Sequence, residues 1–591
     1  MMSTKKQISA IIILTVILVT VGGWVSNWVS AYSPDYYHKI QKNIELFGRM
    51  YQEISKKYVE EIDPKKFMRA GIDGMLSTLD PYTVLIEKED NAELQIMSSG
   101  KYGGLGMRIG LRGGWPTVVE PPFNGTPALR AGIREGDKII EVEGQSVKGM
   151  SVSAVANLLR GEIGSEIFLK IAREGEEEPI EFRLIRAEIV VTDVAYSGII
   201  KDGVGYIHLS HFSRNAGKDI ESAIRSLKNE GLKSLILDLR SNPGGLLDAA
   251  VSVSENFIPK GKLIVSTRGR SEGSIQEYRS SKSPILGDLP LVILVNGLSA
   301  SASEIVTGAV QDLDRGIVIG SNTFGKGLVQ TVIPISGDAA LKITTAKYFV
   351  PSGRSIQNPD RFIKDPEHIL LSEDEDSDDT DSQSSEAKDS DGSAKKKQNP
   401  ESKKVYYTQN GRKVYGGGGI QPDIPVEQKP LSRYELELLR KTMPFQFGVI
   451  YAVRHPELPR GFQVTDEMLA DFKNFLVEKK FSYTSDEEVL LDEMKERAEN
   501  NGYLAAISPT LEDLQTIILE EKNQEFERNK QFIMEELEQE ISAKLWGTSA
   551  EVEAMFDDDQ VIQKAVWLLS NLDEYHKILH DGKSKKESKG K

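Results

Sequence analysis

Between residues 189 and 360, short apolar runs at 205–209, 234–239, 291–295 and 316–319 alternate with helical stretches at 217–227, 247–257 and 304–313. Strands that recur after intervening helices need crossover connections, so this alternation restricts the region to an α/β core with a largely parallel sheet. One junction in it is built for chemistry. The run 291–295 leads through Asn296-Gly297-Leu298-Ser299-Ala300-Ser301-Ala302-Ser303 into a helix that opens at Glu304-Ile305-Val306. A serine at a strand-to-helix turn is presented by the backbone, and the free N–H groups and dipole of the new helix can stabilise an oxyanion beside it.

A second segment, Thr323-Phe324-Gly325-Lys326-Gly327-Leu328-Val329-Gln330, sets one lysine between glycines at the head of the next strand. Lysine, with a reference pKa of about 10.4, serves as a base only when burial lowers that value. Lys326 is the only charged residue in 322–329, which suits a desolvated amine. In a strand, residues i and i+4 share a face, so Gln330 is expected beside Lys326, orienting its amine. Serine with a lysine base is an established solution to nucleophilic catalysis. Taken singly, Ser299, Ser301 and Ser303 read equally well as helix-capping serines and Lys326 as a surface lysine.

The two segments together resemble the carboxyl-terminal processing peptidases, or tail-specific proteases. The resemblance extends over residues 36–428 through two further blocks, Asp238-Leu239-Arg240-Ser241-Asn242-Pro243-Gly244-Gly245 and Gly416-Gly417-Gly418-Gly419-Ile420-Gln421-Pro422-Asp423. It implies that Ser301 is the nucleophile, Lys326 the general base and Gln330 the third catalytic residue, in a core similar to the crotonase and Clp-protease folds. It also implies an oxyanion hole of backbone amides, for which Ala302 and either Gly244 or Gly245 are the candidates.

Histidine, the commonest general base, is the competing choice. Of seven histidines only His208 and His211 lie near this region, in a strand passing into a turn, where packing or lining the cleft is their expected role. Cysteine is absent, which removes a thiol nucleophile and any thiolate metal site. No metal and no cofactor are expected.

Residues 99–188 read as a PDZ domain. Tyr102-Gly103-Gly104-Leu105-Gly106-Met107 resembles the family's carboxylate-binding loop, and the strand 107–111 would pair with a peptide edge-on, opposite a groove helix at 151–160. A reader of C-termini beside a serine hydrolase implies protein substrates chosen by their tails.

At the N-terminus, Lys5 and Lys6 precede an apolar stretch, 8–29, long enough to cross about 30 Å of hydrocarbon. Trp24 and Trp28 suit an interface, and the two lysines favour an inside N-terminus. The expectation is an uncleaved single-pass anchor (1–32) in a bacterial cytoplasmic membrane with the body on the periplasmic side; the alternative is a cleaved signal and a secreted protein. Residues 33–98 look helical, with Asp80-Pro81 as a helix stop. The peptidase core should occupy 189–428.

The formal charge of −16 is mostly local: from Glu373 to Asp391 ten acidic residues face one lysine. Residues 371–403 should form a solvated, disordered insert, and the mildly acidic remainder suggests no nucleic-acid partner. Residues 429–580 carry apolar residues at helical spacing and read as a C-terminal helical domain that packs on the core or a partner subunit, leaving a homo-oligomer open. The basic tail, 581–591, is expected to be disordered. The rivals to a protease are an inactive PDZ scaffold and a crotonase-type acyl-CoA enzyme. Retention of Ser301, Lys326 and Gln330 speaks against the first, the anchor and PDZ module against the second.

Overall fold

A computed structural model describes residues 34–87, 100–123, 125–336, 339–359, 404–427 and 429–587. The apolar stretch 8–29 and the acidic insert 371–403 lie outside them. Among the described residues no helix is long and apolar enough to cross a membrane.

The chain divides into two compact units, up to Thr78 and from Leu79 onward. In the first, helices α1 (Pro34–Lys57) and α2 (Pro64–Leu76) flank the break expected at Ile62-Asp63-Pro64. Asp63 caps α2 by accepting the N–H groups of Lys65 and Lys66 at 2.9 and 3.2 Å, and Pro64 fits its first position. The helical reading of 33–98 ends at α2. Asp80–Thr83 form a turn, and β1 (Val84–Ile86) is a strand of the second unit. Its apolar side chains are taken up by tertiary pairing rather than by a helix.

Within the second unit, β2 (Lys101–Gly104) leads into the PDZ domain and pairs with β9 (Ala187–Val190), which leads out of it. Between them β3 (Ile109–Arg112), β4 (Trp115–Val118), β5 (Lys138–Val142), β6 (Gln145–Ser146), β7 (Glu166–Ala172) and β8 (Ile180–Ile185) form an antiparallel sheet. Helix α3 (Val152–Leu159), capped by Ser151, closes its core with Val155 and Leu159 buried.

The α/β core is a six-stranded sheet in the order β10 (Val194–Lys201), β11 (Val204–Leu209), β12 (Ser234–Asp238), β15 (Leu291–Val295), β16 (Ile317–Gly320) and β19 (Ile424–Pro425). All neighbours are parallel except β10 and β11, as the alternation requires. Successive side chains point to opposite faces. Leu235, Leu237, Ile293 and Val318 meet α4 (Ala216–Asn229), α5 (Leu247–Ser254) and α6 (Ala302–Asp312) on one face. Ile236, Val292, Leu294 and Ile319 point to the other.

That second face is covered from the far end of the chain, by Phe556, Ile562, Leu568 and Tyr575 of the region containing α7 (Thr548–Ala554), α8 (Gln560–Ser570) and α9 (Leu572–Glu587). Arg240 pairs with Asp559, the cap of α8, and the Tyr575 hydroxyl bonds both backbone groups of Leu291. The stretch 429–580 is therefore divided. Helices between Arg433 and Trp546 build their own core around Phe447, Phe472 and Leu537, whereas the last three complete the peptidase sheet. A parallel sheet must bury both faces. The tail is corrected too: α9 extends to Glu587, into the stretch expected to be disordered.

A second sheet, β1–β18–β13–β14 with β17 (Leu328–Ser336) on the other side of β18 (Ala339–Phe349), stands beside the first; β13 spans Leu263–Gly269 and β14 Gln276–Arg279. Buried ion pairs fasten the chain on both sides of the insert to α6 and its exit: Arg354–Asp312 before it, and Arg412–Asp314 with Arg412–Asp423 after it.

Candidate active site

β15 is buried along its whole length and delivers the chain to Ser301, whose φ of +54° and ψ of −111° lie outside the regions open to most L-residues. Such a conformation persists only where its surroundings over-determine it. Here the Ala300 N–H donates to the Asn242 carbonyl at 3.0 Å, the Ser303 hydroxyl to the same carbonyl at 2.9 Å, and the Ser299 hydroxyl to the Leu239 carbonyl at 2.7 Å. Ser299 and Ser303 are fully buried and Ser301 is not. The three serines, alike in sequence, thus separate into two buried, structurally bonded hydroxyls and one, Ser301, that is only partly buried. Gly244 adds a spatial constraint: a Cβ there would lie 2.7–2.8 Å from Ala300 O, Ala302 N and Ser301 Cβ.

Glu304, in the first turn of α6, is fully buried. Its Oε2 accepts the N–H groups of Ser301 and Lys326, both at 2.9 Å; its Oε1 accepts the Gly325 N–H at 2.7 Å and the Thr323 hydroxyl. Burial raises the carboxyl's pKa, and these donors partly offset that rise. On the other side, the buried Tyr348 hydroxyl lies 3.0 Å from Ser301 O and 2.8 Å from Lys326 O. A carboxylate and a phenol therefore tie the two backbones together. Sequence reading took Glu304 only as a helix opener; a glutamate three residues after a serine cap was the available signal. Tyr348, inside an ordinary β-strand, offered none.

Lys326 precedes β17 rather than lying in it, and a β-bulge interrupts the strand at Val329/Gln330. The strand-face argument for Gln330 therefore does not apply. The Gln330 amide donates instead to the carbonyl of Tyr82 at 2.9 Å, and the Tyr82 ring centroid lies 4.5 Å from Lys326 Nζ. The Asp80–Thr83 turn, read from sequence as a helix stop, thus reaches the candidate base.

The oxyanion candidates differ. The Gly244 N–H is committed to Asn242 Oδ1 at 2.9 Å. The N–H groups of Ala302, first residue of α6, and Gly245 have no acceptor among the described residues. These two can receive a developing oxyanion. His208 pairs in register with Asp238 on β12, and His211 Nδ1 contacts the Ser210 hydroxyl at 3.2 Å.

In the PDZ domain, Gly103 and Gly104 belong to β2, opposite Glu188 and Ala187. Leu105, Gly106 and Met107 form the turn before β3, with the carbonyls of Leu105 and Gly106 taken by Ala128 and Phe123 N–H groups. Among the described residues no group of acidic or histidine side chains could hold a metal ion.

Comparison with known proteins gives the family of the chain and of its domains. Residues 203–365 match peptidase family S41, and 119–173 match a PDZ domain. Residues 434–569 match the C-terminal helical domain of a probable PDZ-protease, and 29–90 the N-terminal domain of the activating protease CtpB. A carboxy-terminal-processing protease of Bartonella bacilliformis is 37% identical over 333 residues, covering 55% of this chain and 76% of that protein. The carboxy-terminal processing protease CtpB of Bacillus subtilis is 32% identical over 335 residues, covering 56% of this chain and 69% of that protein. Among solved structures, the photosystem II D1 C-terminal processing protease is 29% identical, covering 53% of this chain and 89% of that chain with a TM-score of 0.31.

Proposed function

The chain belongs to peptidase family S41 as a serine peptidase of the carboxy-terminal processing type, and from that premise we propose a Ser301–Lys326 mechanism acting on exported proteins whose tails the PDZ domain reads. Neutral Lys326 takes the proton of the Ser301 hydroxyl, and the freed oxygen attacks the scissile carbonyl. The amides of Ala302 and Gly245 receive the oxyanion. Protonated Lys326 then gives its proton to the leaving amine, and water, activated by the same amine, hydrolyses the acyl-enzyme.

The observation that carries this reading is the shared fastening of Ser301 and Lys326 to Glu304 and Tyr348. A nucleophile and base that must meet within hydrogen-bond reach need their backbones held in a fixed relation. Substrate choice falls to the turn Leu105–Met107, whose amides would take a terminal carboxylate, with the peptide extending along β3. The apolar stretch 8–29 behind Lys5 and Lys6 anchors the chain in the cytoplasmic membrane and places the body outside it. Association with a second copy is compatible with this scheme.

Reaction with a serine-directed fluorophosphonate, followed by peptide mapping, tests the mechanism. The label is expected on Ser301 and should be lost in Ser301→Ala and greatly slowed in Lys326→Ala. Labelling of Ser299 or Ser303, or full-rate labelling without Lys326, would overturn it.

A further inference from the structure

We propose that Tyr82 controls the protonation of Lys326 and is a positioning residue of the active site; this rests on the reading of Lys326 as the base. The Lys326 Nζ lies 4.5 Å from the centroid of the Tyr82 ring, inside the roughly 6 Å over which an aromatic face attracts a cation. That attraction exists for the ammonium and not for the neutral amine. With the ring in place, Lys326 is biased towards its protonated form, the opposite of what proton abstraction from Ser301 requires.

The ring is held by a built support. The Tyr82 N–H donates to Asp80 Oδ1 at 2.9 Å, and its carbonyl accepts the Gln330 amide at 2.9 Å. The Thr83 hydroxyl donates to Asp80 Oδ2 at 2.9 Å and accepts the Thr344 N–H at 3.2 Å. Asp80 and Thr83 are both buried, and β1 continues the anchorage by pairing with β18. Gln330 thereby joins the support of the Tyr82 turn.

Other titratable groups among the described residues also lie around this point. Glu304 accepts the backbone N–H of Lys326, and the Tyr348 hydroxyl meets its carbonyl. Lys347, exposed on β18, pairs through its backbone with Leu328, and Asp80 lies behind Tyr82. These contacts are made to the backbone of Lys326 or Leu328 or to the turn, and the Tyr82 ring faces the amine. The Asp80–Thr83 turn thus sets how much of the enzyme carries a neutral base at a given pH, and displacing the ring releases that base.

The test uses the full chain and two readouts. The first is the pH dependence of Lys326 modification by an amine-reactive ester, read by mass spectrometry; the second is the acidic limb of kcat/KM. Tyr82→Leu should lower both midpoints by roughly half to one and a half pH units, the cation–π range converted at about 1.36 kcal/mol per unit. Tyr82→Phe, which keeps the aromatic face, should leave both in place. An unmoved modification midpoint in Tyr82→Leu would overturn the proposal. A modification midpoint that moves while the kinetic limb stays would support Tyr82's hold on Lys326 and remove Lys326 from the role of base. Should Tyr82→Leu fail to fold, Gln330→Leu frees the Tyr82 carbonyl, and the modification midpoint should fall in the same direction; no fall would again overturn the proposal.

Discussion

The backbone N–H groups of Ser301 and Lys326 donate to one and the same oxygen, Oε2 of Glu304, each at 2.9 Å. Their carbonyls share a second partner, the Tyr348 hydroxyl. The backbones of Ser301 and Lys326 are thereby held in a fixed relation by two buried side chains.

Glu304→Gln should damage both alignment and stability. An amide keeps one acceptor oxygen and turns an NH2 group towards N–H donors, so at least one charge-assisted bond of about 1.5–3 kcal/mol becomes a repulsive contact. We expect a fall of several degrees in Tm and a loss of about a hundredfold or more in kcat/KM. Tyr348→Phe should cost about 1–2 kcal/mol and lower kcat more than it alters KM. Glu304→Gln with parental activity would show that the shared carboxylate does not govern the site.

The three serines should respond differently. Ser301→Ala is expected to keep its fold and lose cleavage of an unstructured tailed substrate. Ser299→Ala leaves buried groups without their partner, because the Ser299 hydroxyl accepts the Asn296 N–H and donates to Leu239 O. It should cost about 1–3 kcal/mol of stability yet retain measurable turnover below its Tm. Circular dichroism and a peptide-cleavage assay distinguish the two, and an inactive but fully stable Ser299→Ala would contradict the assignment.

Recognition of tails predicts sensitivity to the terminal carboxylate. Amidation removes its charge-assisted bonds to the amides of the 105–107 turn, each worth roughly 1.5–3 kcal/mol, or about tenfold or more in affinity. Cleavage of an amidated substrate should fall accordingly relative to the free acid. Equal rates would mean that the PDZ domain does not read tails.

An acidic cluster where the PDZ domain meets the helical region predicts a pH dependence of stability. Glu135 pairs with Lys544 at 2.7 Å, and burial raises Glu135, Glu536 and Glu551 to about 7 each. All three lie above the ordinary value of 4.5 in the folded state. The unfolded chain therefore loses these protons first as pH rises, and stability should decline between about pH 4.5 and 7 and then level off. The charged neighbours acting on Glu536 are Glu540, Glu535 and Glu551, all acidic. Glu536→Gln should match the parent at pH 5 and exceed it by about 1–3 kcal/mol at pH 8. Thermal denaturation at both pH values checks this, and a variant less stable at pH 8 would refute it.

Much of the molecule was legible in the chain because the signals are local. Alternating strands and helices identified the parallel sheet, Asp63-Pro64 a helix start, and the glycine-flanked lysine and serine-rich turn the candidate dyad. PDZ spacing marked a second domain in the same way. What escaped depended on contacts between residues far apart in sequence. Amphipathic helices look alike whichever surface they cover, so nothing in 548–587 announced that it closes the second face of the peptidase sheet. The β-bulge at Gln330 and the bond from its amide to the Tyr82 carbonyl could not be read from strand periodicity.

The sequence by itself determined most elements and their order and singled out Ser301 and Lys326 as candidates, since these follow from periodicity, turn chemistry and motif spacing. Tertiary structure alone decided that Glu304, Tyr348 and Tyr82 converge on them. Long-range hydrogen bonds and a ring-to-amine contact leave no period in a chain; they exist only once the burial of two sheets has brought α6, β18 and the Asp80–Thr83 turn to one place.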